Sequence, residues 1–377
     1  MKIRSSVFLA MIFIGAAPLL GAAPSDAWLP TALTVPVQDV AIAPSDSRVM
    51  VAVGYGSLDL FRTVDRGASW TAMAFPRSEI LEGGETGLVL VRGVAIDPRD
   101  AAVIEVAAII EPPATPQIRP DLGAVYRTRD GGATWEIAGN TIFPHLIEQV
   151  IFAPGDPSFL YAAGAERGTF GVYRSRDLGD SWEAVTGGLP SDVWSVGLAA
   201  DPSAPGRLFA AIYGLVGQGL YRTDDSGATW SGPLFGYGAV SVSADSSVYA
   251  RTDGVWKSTD AGATWRRADH GLPPDVDNAI PDPRNPNRLF IGSLRNGVFS
   301  SVDAGESWRP FPSTGLPPPH IGGLSGLVSP GYSLAIAPDG SYLAAPSWSG
   351  LLIHPLPPPR RIAPVAPESA PVVTRPR

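Results

Sequence analysis

The sequence has no cysteine. That single absence excludes disulfides, thiol nucleophiles and cysteine-ligated zinc together. Lysine is almost missing too: only Lys2 and Lys257 occur, and Lys257 occupies a strand position where other repeats carry arginine, which argues against Schiff-base chemistry. The four histidines, at 145, 270, 320 and 354, lack the fixed spacing of a metal-binding helix, and no metal or other cofactor is expected. Basic charge is in deficit, with 28 Lys and Arg against 36 Asp and Glu and a net charge of −8. A nucleic-acid partner needs the reverse balance and is not expected. Beyond the first two dozen residues no run is apolar enough to cross a bilayer, so no transmembrane anchor is expected after leader removal.

What is present begins with that leader. Lys2 and Arg4 precede the apolar run "VFLAMIFIGAAPLLG", and the small residues Gly21, Ala22 and Ala23 follow. This order predicts a signal peptide over residues 1–23 and export to the periplasm or the outside of the cell. At the other end, "PLPPPRRIAPVAPESAPVVTRPR" is too rich in proline to pair as strand, and residues 355–377 are expected to be a disordered tail. Between them, 42 glycines and 39 prolines in a chain that is 45% hydrophobic promise a large core cut by many tight turns.

One phrase recurs. "LFRTVDRGASW", "VYRTRDGGATW", "VYRSRDLGDSW", "LYRTDDSGATW", "VWKSTDAGATW" and "VFSSVDAGESW" share Ser/Thr-x-Asp-x-Gly-x-Ser/Thr-Trp, with aspartates at 65, 130, 177, 225, 260 and 303. Alternation before the aspartate is strand-like, and Asp-x-Gly is hairpin chemistry. Upstream of each hairpin lies a second strand–turn–strand phrase, such as "AIAPSDSRVMVAVG" or "IFAPGDPSFLYAAG". Together they give four meandering strands per repeat, the blade of a β-propeller. The 331 residues from 24 to 354 hold seven such units of about 47. The chain therefore reads as all-β, a single seven-bladed propeller of four-stranded antiparallel blades. The last blade, "YLAAPSWSGLLIH", has no aspartate turn. Its outer strand is expected from the N-terminus, with Trp28 in the slot filled elsewhere by residues such as Trp182, closing the ring and removing its edges. The long interval from Asp65 to Asp130 holds one blade with long loops.

These octets resemble the Asp-box (BNR) repeat, and the strand phrases are most similar to the sortilin, xyloglucanase and photosystem II assembly factor-like group. The resemblance implies a scaffold whose boxes are folding elements away from the ligand face; it transfers no activity. The box aspartates are accordingly read as structural rather than as calcium ligands, since a calcium loop needs several oxygens and each hairpin offers one carboxylate. The arginines recurring in frame, Arg62, Arg127, Arg174 and Arg222, are read as blade-holding groups.

Function is sought where residues depart from the repeat. Trp194 and Trp348 are the tryptophans no repeat position explains, and both are expected on the face opposite the boxes. Counting six residues back from each turn proline gives Gln38, Arg92, Glu148, Val196, Asp277 and Tyr332, a column expected to ring the channel mouth. Two long insertions, Pro76–Gly87 and Glu111–Gly123, add Glu79, Glu82, Glu85 and Arg119 on the same face. The ligand-binding candidates are Arg92, Glu148, Trp194, Asp277, Tyr332 and Trp348. No nucleophile triad, metal cluster or phosphate loop emerges, so the leading expectation is a non-enzymatic propeller that binds a protein or glycan. The alternative is a glycoside hydrolase, xyloglucanase-like or sialidase-like. A sialidase's Arg-Ile-Pro signature is absent; "QIRP" (Gln117–Pro120) has the letters in another order. "YARTDG" (Tyr249–Gly254) is similar to the segment supplying a xyloglucanase's catalytic aspartate, although Asp253-Gly254 also suits a hairpin turn. The hydrolase reading puts catalysis on Glu148, Asp277 and Asp253 and requires two carboxylates about 5–9.5 Å apart.

Overall fold

The computed structural model describes residues 26–56, 59–81, 84–113, 121–166, 169–236, 238–293, 295–316 and 334–357. The expected signal peptide, most of the proline-rich tail, Glu82, Arg119, His320 and Tyr332 lie outside the described residues.

Seven antiparallel sheets follow one another around a ring, and no helix occurs among the described residues. Their innermost strands, from Val37–Ile42 in the first blade to Ala335–Ile336 in the seventh, abut in sequence around a central channel. Six blades take four or more strands from consecutive sequence. The seventh takes Ala335–Ile336, Tyr342–Ser347 and Gly350–Pro355 and is completed by Leu29–Pro30, with Leu29 opposite Ile353. The expected closure is observed. The second blade departs from four strands: the insertion after Pro76 folds as Ser78–Ile80, which pairs with the long inner strand Thr86–Ile96 as a fifth strand.

Each blade places the turn between its first two strands, and its box between the third and fourth, on one face (the box face). All other connections fall on the opposite, loop face. The box works the same way in all six blades. In the third, the Ser175 hydroxyl donates to Asp177 Oδ1 (2.8 Å) and accepts the Gly179 amide (2.7 Å). Asp177 then accepts the Ser181 amide (2.8 Å) and hydroxyl (2.6 Å). These bonds, the Ser181 hydroxyl foremost, hold the Asp177 carboxyl below its ordinary range. The two residues after the aspartate are left-handed, and the second is always glycine (φ 84–95°). The first is usually not: Arg66, Leu178, Ser226, Ala261 and Ala304 have φ of 56–61°.

The recurring arginines stitch blade to blade. Arg127, Arg174 and Arg222 each donate Nη1 to the carbonyl of that first left-handed residue in the next box, Leu178, Ser226 and Ala261 respectively. Lys257 does the same to Ala304 (2.9 Å). Apolar side chains fill the space between, as where Val51, Val53 and Leu60 of the first blade meet Val91, Val106 and Tyr126 of the second. Trp28 fills the seventh tryptophan slot. Its amide donates to Thr314 O (2.8 Å) and its Nε1 to Pro312 O (2.9 Å). Trp308 bonds His270 O (2.9 Å) and Ala268 O (2.7 Å) in the same way. Trp182 differs, with its Nε1 buried and unpaired.

One core position breaks the pattern. Val51, Tyr161 and Phe209 lie opposite the recurring arginines, and the second blade puts Glu105 there. Glu105 is fully buried with neither oxygen hydrogen-bonded, and burial pushes its carboxyl well above the ordinary 4.5, against the pull of Arg127.

Two stability outcomes follow. Trp28→Ala removes a buried ring at the closure and is expected to cost about 3–5 kcal/mol in denaturant unfolding. Because the folded pKa of Glu105 is raised, its contribution is most favourable below pH 4.5 and is lost as pH rises through the folded value. Glu105→Val is therefore expected to stabilise the fold at neutral pH and to flatten that fall in a pH series of melting curves.

Candidate functional site

The loop face collects what the repeat does not explain. Among the described residues, nine of the twelve large exposed apolar side chains lie there, and two of the other three flank box aspartates. Four form two aromatic pairs. Trp194 meets Tyr213 edge-on (centroids 5.8 Å, 82°) on the fourth blade, with Leu215 and Val216 protruding beside them at 69% and 68% exposure. Trp348, in the turn between Tyr342–Ser347 and Gly350–Pro355, meets Tyr55 of the first blade (4.2 Å, 48°). The fourth blade stands across the ring from the junction of the seventh and first, so the two pairs lie on opposite sides of the loop face.

Bulges position the residues between them. The inner strands of the first, second and fourth blades each carry an extra residue near the loop face, Gln38, Arg92 and Trp194. A bulge re-aims the side chain it carries, and Arg92 and Trp194 are both exposed. The bulge also explains where the expected column fails. In the fourth blade it comes two residues earlier than in the first two, so Val196 falls back into regular register opposite Ile212 and is buried in the core. Its counterpart in the second blade is the buried Val91, not Arg92.

Glu148 and Asp277 do stand in equivalent places, each donating its backbone amide to the neighbouring strand, at Ala163 O and Gly292 O. Burial raises both carboxyls above their ordinary range. Each has a guanidinium from the preceding blade pulling the other way, Arg92 for Glu148 and Arg251 for Asp277. Asp39, which the column missed by one residue, belongs with them: burial raises its carboxyl too, opposed by a hydrogen bond from the Val40 amide (2.8 Å).

The other candidates are placed differently. Asp253 caps the turn between Val248–Arg251 and Val255–Ser258, its Oδ1 accepting the Thr252 hydroxyl (2.9 Å) and Trp256 Nε1 (2.9 Å). The Trp256 bond, the largest influence, lowers its pKa. Glu79 accepts the hydroxyl of the core residue Tyr126 (2.9 Å). His145 lies buried beside Tyr173, while His354 packs on Trp28 (5.3 Å) and Phe311 (4.7 Å).

No protein-family model matches the chain. Among curated proteins, the xyloglucanase Xgh74A of Acetivibrio thermocellus is 29% identical over 167 residues, 37% of this chain and 19% of its own. A Paenibacillus xyloglucanase is 28% identical over 225 residues, 46% of this chain and 21% of its own. The chain thus spans about a fifth of these curated relatives (19% and 21%). Among solved structures, the GH74 xyloglucanase of Xanthomonas campestris superposes with TM-score 0.60 at 19% identity, over 87% of this chain and 53% of the enzyme. YCF48 bound to D1 peptide superposes with TM-score 0.58 at 15% identity, over 90% of this chain and 99% of YCF48. The chain is a seven-bladed Asp-box propeller, similar in fold to the xyloglucanases and to YCF48.

On this propeller, sequence reasoning missed Asp39, Arg251, Tyr55 and Tyr213. Both tyrosines are loop-face aromatics outside the repeat, the criterion that singled out Trp194 and Trp348; applied to tyrosine it finds them. Since Arg92 opposes the raised pKa of Glu148, Arg92→Ala is expected to move the Glu148 midpoint higher still, read by carboxyl carbon NMR across a pH titration.

Proposed function

We propose that this protein is a binding propeller that takes a protein or glycan partner on its loop face and does no chemistry on it. The observation that carries the reading is the two exposed aromatic pairs on opposite sides of the loop face. Aromatic faces of this kind suit sugar rings or extended apolar peptide equally. The superposition on nearly all of YCF48, a propeller whose solved structure is bound to D1 peptide, supports the binding reading. The expected export fits a partner outside the cytoplasm.

A second reading has its own support. Every curated relative named above is a xyloglucanase, and the raised carboxyls of Glu148 and Asp277 suit a general acid. This would be a glycoside hydrolase with Trp194 or Trp348 stacking on a sugar.

A panel of soluble oligosaccharides and immobilised peptides, run with a reducing-end assay on xyloglucan, separates the two. The binding reading expects a ligand retained without release of reducing ends. It expects Trp194→Ala or Trp348→Ala to weaken retention about three- to tenfold at unchanged melting temperature. Hydrolysis by the wild type that Glu148→Gln or Asp277→Asn abolishes would replace it with the enzymatic reading.

A further inference from the structure

Arg62 stands apart from its counterparts in the other blades. In the second blade, Arg127 grips Glu136 Oε1 through Nε (3.0 Å) and Nη2 (2.7 Å), and its Nη2 also reaches Asp180 (2.7 Å). In the third, Arg174 grips Glu183 Oε1 through Nε (2.9 Å) and Nη2 (2.8 Å). In the fourth, Arg222 Nε makes no hydrogen bond but is ion-paired with Asp224 (2.9 Å). Each guanidinium edge is thus occupied by a carboxylate.

The first blade has replaced every one of those acids. Thr71 lies opposite Arg62, where Glu136 and Glu183 lie opposite Arg127 and Arg174. Ala133 holds the box position of Asp180, and Val64 that of Asp224. Arg62 keeps a backbone bond from Nη2 to Ala101 O (3.2 Å), but its Nε has no hydrogen-bond partner. Beside it, between the first and second boxes, opens a cleft of about 330 Å³ lined by Arg62, Val64, Ser69, Thr71, Met73 and Asp130; the Asp130 carboxylate is turned to its own box, accepting the Thr128 and Thr134 hydroxyls.

We propose that this cleft is a carboxylate-binding site, anchored by Arg62 and separate from the loop face. The ligand carboxylate takes the seat that Glu136 and Glu183 fill in the neighbouring blades, accepting from the guanidinium edge. Val64 and Met73 supply apolar walls, and Ser69 and Thr71 add hydroxyls at the rim. A carboxylate on a short aliphatic stem fits this lining: a free short-chain acid, or the glutamate side chain of another protein.

Melting curves of the whole chain at fixed ionic strength test the assignment, with chloride exchanged for butyrate in one arm. A second arm adds N-acetyl-glutamate amide, with the glutamine analogue as control. A saturable rise of about 1–2 °C is expected in at least one arm, and the larger response names the source. Thr71→Glu should fill the seat internally, raising the melting temperature in chloride and abolishing the response. Arg62→Met should abolish the response without the gain. No saturable shift in either arm, or an equal shift in the wild type and Thr71→Glu, overturns the site.

Discussion

Two consecutive left-handed residues in each box turn are the constraint on which this molecule rests. A non-glycine side chain there costs about 1–2 kcal/mol, yet five of the six boxes accept one at the first position. The aspartate makes that conformation the stable one, because its carboxylate ties the turn's far end back to its start and the preceding hydroxyl closes on the glycine amide. The carboxyls of Asp225 and Asp260 are held at about 2, chiefly by their bonds to Thr229 and Thr264. Their stabilisation is accordingly full at neutral pH and is lost only as pH falls toward those values. Glu105 has the opposite sign, so acidification relaxes one buried carboxyl while it undoes the boxes.

The strained carbonyl is then used. A left-handed residue turns its oxygen away from its own hairpin, and the arginine or lysine of the preceding blade donates to it in four of the junctions. Turn conformation and blade–blade docking are therefore one device. In the first blade Arg62 reaches Ala101 O instead, and the device runs out at the sixth and seventh blades, where Ser300 and Ile353 hold the corresponding strand positions. There the ring is secured by the first strand and Trp28, whose indole bonds the sixth blade and whose ring packs on His354.

Repetition is what made the fold legible in the sequence. Asp-x-Gly and its flanking hydroxyls recur because each performs the same bonding, so six copies declare six turns, and the interval between them declares the blade. Trp28 was placed by the same logic. The channel mouth was less legible because a bulge adds one residue without leaving a mark in composition. Counting back from the turn proline found Arg92, Glu148 and Asp277, took the buried Val196 with them, and passed over Asp39. The extra strand Ser78–Ile80 was hidden for a related reason: inside an insertion there is no repeat to compare it with.

The mouth's acids bear on chemistry through the direction of their shifts. Acid–base catalysis by a carboxyl pair needs environments that push the two pKa values apart, one group kept protonated and one ionised. Asp39, Glu148 and Asp277 are all pushed the same way, by the same cause, burial. Asp253 is the loop-face candidate pushed down, and its carboxylate is already engaged by Thr252 and the Trp256 indole. A base must be free to take a proton, and a carboxylate that caps its own hairpin while accepting an indole N–H is committed to the turn. The acids of the mouth thus behave as one group, with no acid–base division of labour among them.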